Sequence, residues 1–174
     1  ELLKDVDEMQ YMLETYLDFS QTVSSEENSI VNINEMIEEI TETSKEKNKS
    51  IIFKSSSENH INHKCKYIAL KRCIINLVNN AKAYGDEIII SLSETNNEIN
   101  INIEDNGPGI KEKDYEKALK PFQRLDSSRN QNIAGSGLGL SISQDIIKTL
   151  NGNLSLSKSI IGGLKVEIQL PKNF

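Results

Sequence analysis

Three asparagines interrupt an apolar run, Ile68-Ala69-Leu70-Lys71-Arg72-Cys73-Ile74-Ile75-Asn76-Leu77-Val78-Asn79-Asn80-Ala81. An amide among such neighbours costs free energy unless something satisfies it. At about 100° per residue on a helix, Asn76 and Asn80 share a face about 100° round from the stripe of Leu70, Ile74, Leu77 and Ala81, and Asn79 points elsewhere. Two amide oxygens one turn apart are hard, neutral donors that could hold a hydrated Mg2+ carrying phosphates. The plain alternative is a pair of satisfied core or surface amides.

A second group follows an alternating run: Glu104-Asp105-Asn106-Gly107-Pro108-Gly109-Ile110. This can be an ordinary turn. In a functional version the Asp105 carboxylate accepts a hydrogen bond from an exocyclic amine, as an adenine-reading group would, and the glycines leave room for the ring. A third group, Gly135-Ser136-Gly137-Leu138-Gly139-Leu140, opens an amphipathic helix, where loop amides and the positive helix end suit a polyphosphate. It is neither common glycine signature: Leu140 stands where GxGxxG needs glycine, and no GK[ST] follows. An Asn-x-x-x-Asn helix, a post-strand DxGxG and a pre-helix GxGxGL in that order form a far more specific pattern than any one alone.

Strands and helices must bring these groups together. Ser29–Ile33 and Ile51–Lys54 read as strands, Glu35–Lys47 as a helix capped by Asn34, and Lys66–Tyr84 as a long helix stopped by Gly85. Glu87–Leu92 and Glu98–Glu104 alternate like paired strands. Lys111–Lys120 reads as helical, residues 121–134 as irregular and Leu138–Leu150 as a helix, with Asn153–Ser157 and Leu164–Leu170 closing as strands. The expected result is helices on one face of a mixed sheet. Ahead of these, Leu3, Val6, Met9, Leu13, Tyr16 and Leu17 repeat at helical spacing as one apolar stripe, which packs either on its own domain or in a bundle with another chain.

The chain of 174 residues has 37% hydrophobic and 26% charged residues, enough for a layered core and unlike collagen or a disordered chain. A net charge of −6 without a basic stripe argues against nucleic acid as a partner. No apolar run has the length of a membrane span, and no signal peptide opens the chain, so it reads as soluble. Cys65 and Cys73 lack metal or redox spacing and read as reduced core residues. The start at Glu1, in what reads as mid-helix, suggests a piece of something longer.

On these residues the chain resembles the catalytic ATP-binding domain of sensor histidine kinases of the osmosensor type, within the superfamily shared with Hsp90, gyrase B and MutL. Asn76–Ala81 is similar to that family's N box, Asp105–Ile110 to its G1 box, Pro121-Phe122-Gln123-Arg124 to its F box and Gly135–Leu140 to its G2 box. Gly162-Gly163 and a strand ending in Leu170-Pro171 also fit. The resemblance implies an α/β (α+β) sandwich of the Bergerat type, a mixed sheet covered on one face by three helices, plus an N-terminal helical arm. It divides the chain into the end of a dimerisation and phosphoacceptor helix (1–20), a linker (21–28) and the ATP-binding catalytic domain (29–174).

By resemblance, ATP is the substrate and Mg2+ the cofactor. Asn80 would ligate Mg2+, Asn76 would support the ion and phosphates, and Asn76, Asn80 and Arg124 would be the catalytic residues. Asp105 would read the adenine, Gly107 and Gly109 would shape the pocket, and Tyr84, Ile110, Phe122, Arg124 and Arg129 would line it. Gly135, Ser136, Gly137, Leu138, Gly139 and Leu140 would cradle the phosphates, beneath a mobile ATP lid at 121–134. The implied activity is a protein-histidine kinase of a two-component phosphorelay. The implied partners are a dimerisation and phosphoacceptor domain of the same protein and a response regulator. The full protein would be a homodimer, with this portion on the cytoplasmic side of a membrane-bound sensor.

Two departures stand out. The family's basic residue three positions after the magnesium asparagine is Ala83 here, and the lysine falls at Lys82, about 160° round the helix from Asn80. No phosphoacceptor motif is present either: His60 and His63, in Asn59-His60-Ile61-Asn62-His63, have neither a helical context nor an acidic neighbour and read as structural or exposed. The phosphoacceptor histidine is therefore expected outside this chain. An amide at Asn76, where ATPases of the superfamily carry a glutamate base, favours kinase over hydrolase. A non-catalytic nucleotide-binding adaptor and an anti-sigma-type serine kinase are the competing readings.

Overall fold

The computed structural model describes residues 25–57, 59–121, 123 and 138–172. The expectations for the helical arm, for most of the linker and for Phe122, Arg124, Arg129, Gly135, Ser136 and Gly137 lie outside these residues.

In chain order the elements are β1 (Ser29–Asn32), α1 (Ile33–Thr43), β2 (Ser50–Ser55), β3 (Asn62–Cys65), α2 (Tyr67–Tyr84), β4 (Glu87–Glu94) and β5 (Glu98–Asp105). A 3-10 turn (Glu112–Asp114), α3 (Tyr115–Ala118), α4 (Gly139–Thr149), β6 (Asn153–Lys158) and β7 (Leu164–Pro171) complete them. Five strands form one sheet in the order β2-β4-β5-β7-β6, with β2 parallel to β4 and the other pairs antiparallel.

Strand alternation builds the core. Ile88, Ile90 and Leu92 of β4, Ile99, Ile101 and Ile103 of β5, and Val166, Ile168 and Leu170 of β7 point to one face and are buried, with Ile103 paired to Ile90 and to Val166. Helices α1, α2 and α4 supply the matching stripes: Ile33, Met36, Ile37 and Ile40; Leu70, Ile74, Leu77 and Ala81; Ile142, Ile146 and Ile147. Fully burying each such isoleucine or leucine stabilises the fold by about 1.5–3 kcal/mol, so the sheet–helix interface is the dominant ordering force. Cys65 and Cys73 are both buried and free, and burial pushes each thiol up to about 12. They are core residues.

Two local readings, the cap of α1 and the helix at 111–120, differ from the structure. The cap of α1 is Asn32, whose Oδ1 accepts from the Glu35 amide at 3.3 Å while its Nδ2 donates to Glu35 Oε1 at 2.7 Å, a reciprocal pair that Asn34 cannot make. Asn34 turns inward instead, accepting from the Ile61 amide at 2.8 Å and donating to Ser55 Oγ at 3.1 Å. The first strand does not join the main sheet but pairs with β3 in a separate two-stranded sheet, where His63 is buried opposite Val31. Residues 111–120, read as one helix, form a 3-10 turn and a four-residue helix ahead of Pro121. Gly85 ends α2 as expected, but with an extended backbone, φ −126°, so no left-handed turn demands it; a Cβ there would lie 2.9 Å from Asn106 Oδ1.

Candidate functional site

The β5 alternation that buries Ile99, Ile101 and Ile103 puts Asp105 on the same inward face at the strand's end. Asp105 is 4% exposed. Its Oδ1 accepts from the Gly107 amide at 2.8 Å and the Leu164 amide at 3.3 Å, and its carbonyl accepts from the Gly163 amide at 3.0 Å. Burial raises the carboxyl pKa above the usual aspartate value, and the two amides offset part of that. Among the described residues no donor reaches Oδ2, so that oxygen has acceptor capacity to spare.

Glu104 points the opposite way. Its Oε2 accepts from Ser159 Oγ at 2.9 Å and from the Ile160 amide at 3.2 Å, and the Ser159 amide donates to Gly163 O at 2.9 Å. The two adjacent acids thus tie the β6–β7 turn to the end of β5 from both faces.

Backbones meet closely here, and this explains the glycines. A Cβ on Gly163 would collide with Asp105 Oδ1 and sit 2.6 Å from Asp105 O and from Gly107 N. One on Gly107 would sit 2.6 Å from Tyr84 O, so the protein's own backbone claims that space. Gly109 has φ +69°, a region unfavourable for side chains, and packs against Gly163. The end of α2, the loop after β5 and the β6–β7 turn therefore converge at one place.

Asn106 fastens that junction, a role the sequence reading did not assign. Its Oδ1 accepts from the amides of Asp86 and Glu87 at 2.9 and 3.1 Å, and its own amide donates to Glu87 O at 3.2 Å. Lys49 closes the other side, its Nζ donating to the carbonyls of Lys82 and Gly85 and lying 3.5 Å from Asp86, where a cation favours the negative end of α2. The only sequence signals were an Asn in a DNG turn and a lysine before a strand.

Asn76 and Asn80 are part-exposed on α2, whereas Asn79 is exposed. Among the described residues neither amide has a hydrogen-bond partner, so their neutral oxygens remain available to a hard cation. Asn80 lies one turn before Tyr84, whose carbonyl abuts Gly107, so the helix ties it to the Asp105 loop. Lys82 is occupied elsewhere, paired with Glu46 at 2.5 Å, and Ala83 is exposed. Leu138 is buried, Leu140 and Ile110 pack at the margin of the core, and among the described residues a Cβ on Gly139 would meet nothing within 4 Å. Among the predicted site residues, Tyr84, Asp105, Gly107 and Gly109 are in direct contact or one step removed from it.

A mixed sheet covered on one face by helices, with a buried carboxylate where β5, the end of α2 and the β6–β7 turn meet, is the architecture of the ATP-binding domains of sensor histidine kinases. The profile of the family described as histidine kinase-, DNA gyrase B- and HSP90-like ATPase matches residues 65–173, and the chain belongs to that family. It is 41% identical over 107 residues to sensor histidine kinase GtrS of Pseudomonas aeruginosa, covering 62% of this chain and 22% of that protein. It is 35% identical over 104 residues to sensor histidine kinase CpxA of Escherichia coli, covering 59% and 23%. The chain thus spans about a fifth of the length of these curated relatives. The catalytic domain of histidine kinase ThkA superposes with a TM-score of 0.73 at 28% identity, covering 84% of this chain and 96% of that one. Full-length ShkA in complex with AMPPNP gives 0.80 at 17% identity over 97% of this chain and 36% of that one, a likeness of fold.

Proposed function

We propose that residues 29–174 bind Mg-ATP and transfer its γ-phosphate to a histidine outside this chain, on a dimerisation and phosphoacceptor domain of the same protein to which residues 1–20 belong and residues 21–28 connect. The observation that carries this reading is the convergence of Asp105, its glycines and the end of the asparagine-bearing helix. Asp105 Oδ2 would accept from the adenine amine, and Asn80 with Asn76 would hold Mg2+. When bound, that ion would neutralise phosphate charge. Arg124, Arg129 and the amides of Gly135–Leu140 would take the remaining phosphate contacts, with Phe122 and Ile110 lining the pocket.

Phosphoryl transfer asks a protein mainly for positioning and charge neutralisation. The γ-phosphate would pass to an incoming imidazole nitrogen as its bond to the β-phosphate oxygen breaks, leaving ADP. Water is the competing nucleophile, and Asn76 carries no base to activate it. A response regulator would then receive the phosphate. The whole protein would be a homodimeric membrane-bound sensor with this portion in the cytoplasm; among the described residues no helix is long and apolar enough to cross a membrane.

One observation favours a non-catalytic adaptor as the second reading: Ala83 brings no charge, and Lys82 is engaged by Glu46. Incubation with labelled ATP and a separately expressed phosphoacceptor helix pair separates the two. Labelled histidine supports the kinase, and nucleotide binding without transfer supports the adaptor.

A further inference from the structure

Helix α2 begins without a cap of its own. Lys66, at the N-cap position, makes no side-chain capping bond, and the first turn holds no acidic residue. A helix start leaves free amides that need acceptors. Here the acceptor comes from 42 residues earlier: Glu26 Oε1 accepts from the Ile68 amide at 2.6 Å, and Oε2 from the Ala69 amide, 43 residues away, at 3.0 Å. Both carboxylate oxygens are used, and a negative charge at this end is favoured by the helix dipole. Three residues on, Ser29 opens β1 and pairs with Cys65, immediately before Lys66. The entry segment is therefore gripped twice at the start of α2, once by strand pairing and once by Glu26. Glu26 lies in the stretch that the sequence alone reads as a free linker.

We infer that Glu26 is a positioning residue: together with the β1–β3 pairing, its carboxylate clamps the entry segment from Glu26 to Asn32 onto the start of the helix that carries Asn76 and Asn80, fixing the direction in which the chain enters the domain. From Ile68 to Asn80 the helix rises about 18 Å, a rigid rod between the clamp and the proposed metal-holding amide. The clamp stands on its own geometry. Its consequence for chemistry rests on the proposed function: a fixed exit direction raises the effective concentration of an acceptor carried on the same polypeptide. Glu26 would then matter for transfer to an attached acceptor and not for transfer to one supplied separately.

The test uses the full 174-residue chain with spin labels at Ser20→Cys and Asn96→Cys. The native thiols of Cys65 and Cys73 are buried and pushed up to about 12, which keeps them out of the labelling reaction. With Glu26 intact, a narrow label-to-label distance distribution is expected. Glu26→Ala should broaden it at least twofold and speed hydrogen exchange at the Ile68 and Ala69 amides at least tenfold, with affinity for Mg2+ plus a non-hydrolysable ATP analogue moving less than twofold. Glu26→Gln, which keeps the shape and loses the charge, should fall between, and thermal melting confirms that each variant is folded. Faster exchange with an unchanged distance distribution makes Glu26 a mere helix cap and overturns the proposal, as does no change in either. Failure of every version to bind the analogue sinks the nucleotide reading and leaves the clamp result intact.

Discussion

The amide of Leu164 donates to Asp105 Oδ1 at 3.3 Å across 59 residues of sequence, and the adjacent Gly163 has no room for a side chain because Asp105 occupies it. Loop, turn and carboxylate are one packed unit. Gly163→Ala should therefore destabilise the domain by about 1–3 kcal/mol through overpacking and lower the melting temperature by on the order of 5 °C. Gly139→Ala is the contrast, since among the described residues its Cβ would touch nothing within 4 Å: stability should hold or rise by up to about 1 kcal/mol. Thermal unfolding of the two variants checks the difference.

Asn106 accepts from two main-chain amides at the α2–β4 connection. Asn106→Ala leaves both without their acceptor and should cost about 1–3 kcal/mol. Asn106→Asp keeps an oxygen in place and should recover most of it. Denaturant unfolding gives both numbers, and equal losses in the two variants would contradict the acceptor role.

Burial holds the Asp105 carboxyl above its ordinary value of 3.8, so the folded state binds its proton more tightly than the unfolded chain does. Its contribution to stability is then fully present below 3.8 and is lost as pH rises through the folded value. The stability of wild type minus that of Asp105→Asn should fall with rising pH across that window. Nucleotide affinity should move oppositely, weakening on acidification at a higher pH than an exposed aspartate would give. A fluorescence titration at several pH values measures this.

His63 is shifted the other way, burial lowering it from 6.5. The unfolded chain takes up the proton first, so stability is complete above 6.5 and is lost as pH falls from there through the lower folded value. His63→Leu should remove that slope, visible as acid unfolding curves that converge less steeply below 6.5.

Much of this was legible in residue spacing because alternation and helical periodicity are local. The pattern Ile99, Ile101, Ile103 already puts Asp105 inward, and Leu70, Ile74, Leu77 already puts Asn76 and Asn80 on another face. What escaped depends on contacts distant in sequence. Asn32 and Asn34 are equally good caps by type, and only the reciprocal bond to Glu35 and the Ile61 amide assigns them. Gly107 and Gly109 read as room for a ligand ring, and only the fold reveals that Tyr84 O stands where a side chain at 107 would go and that Asp105 does the same for Gly163. Glu26 in a polar stretch carries no local sign that it caps a helix 42 residues on.

In the proposed function Asp105 reads a purine through Oδ2 while Oδ1, held by the Gly107 and Leu164 amides, keeps the fold. Asp105→Asn keeps an oxygen for the Gly107 and Leu164 amides but turns the ligand-facing acceptor into a donor, so fold and binding separate cleanly. Titration calorimetry with Mg2+ and a non-hydrolysable ATP analogue is the direct test. Wild type should bind, and the variant should lose about tenfold or more in affinity, the worth of a hydrogen bond to a charged group, while melting no lower than wild type at neutral pH, where the buried ionised carboxylate costs stability. Equal affinity in the two proteins would contradict the account.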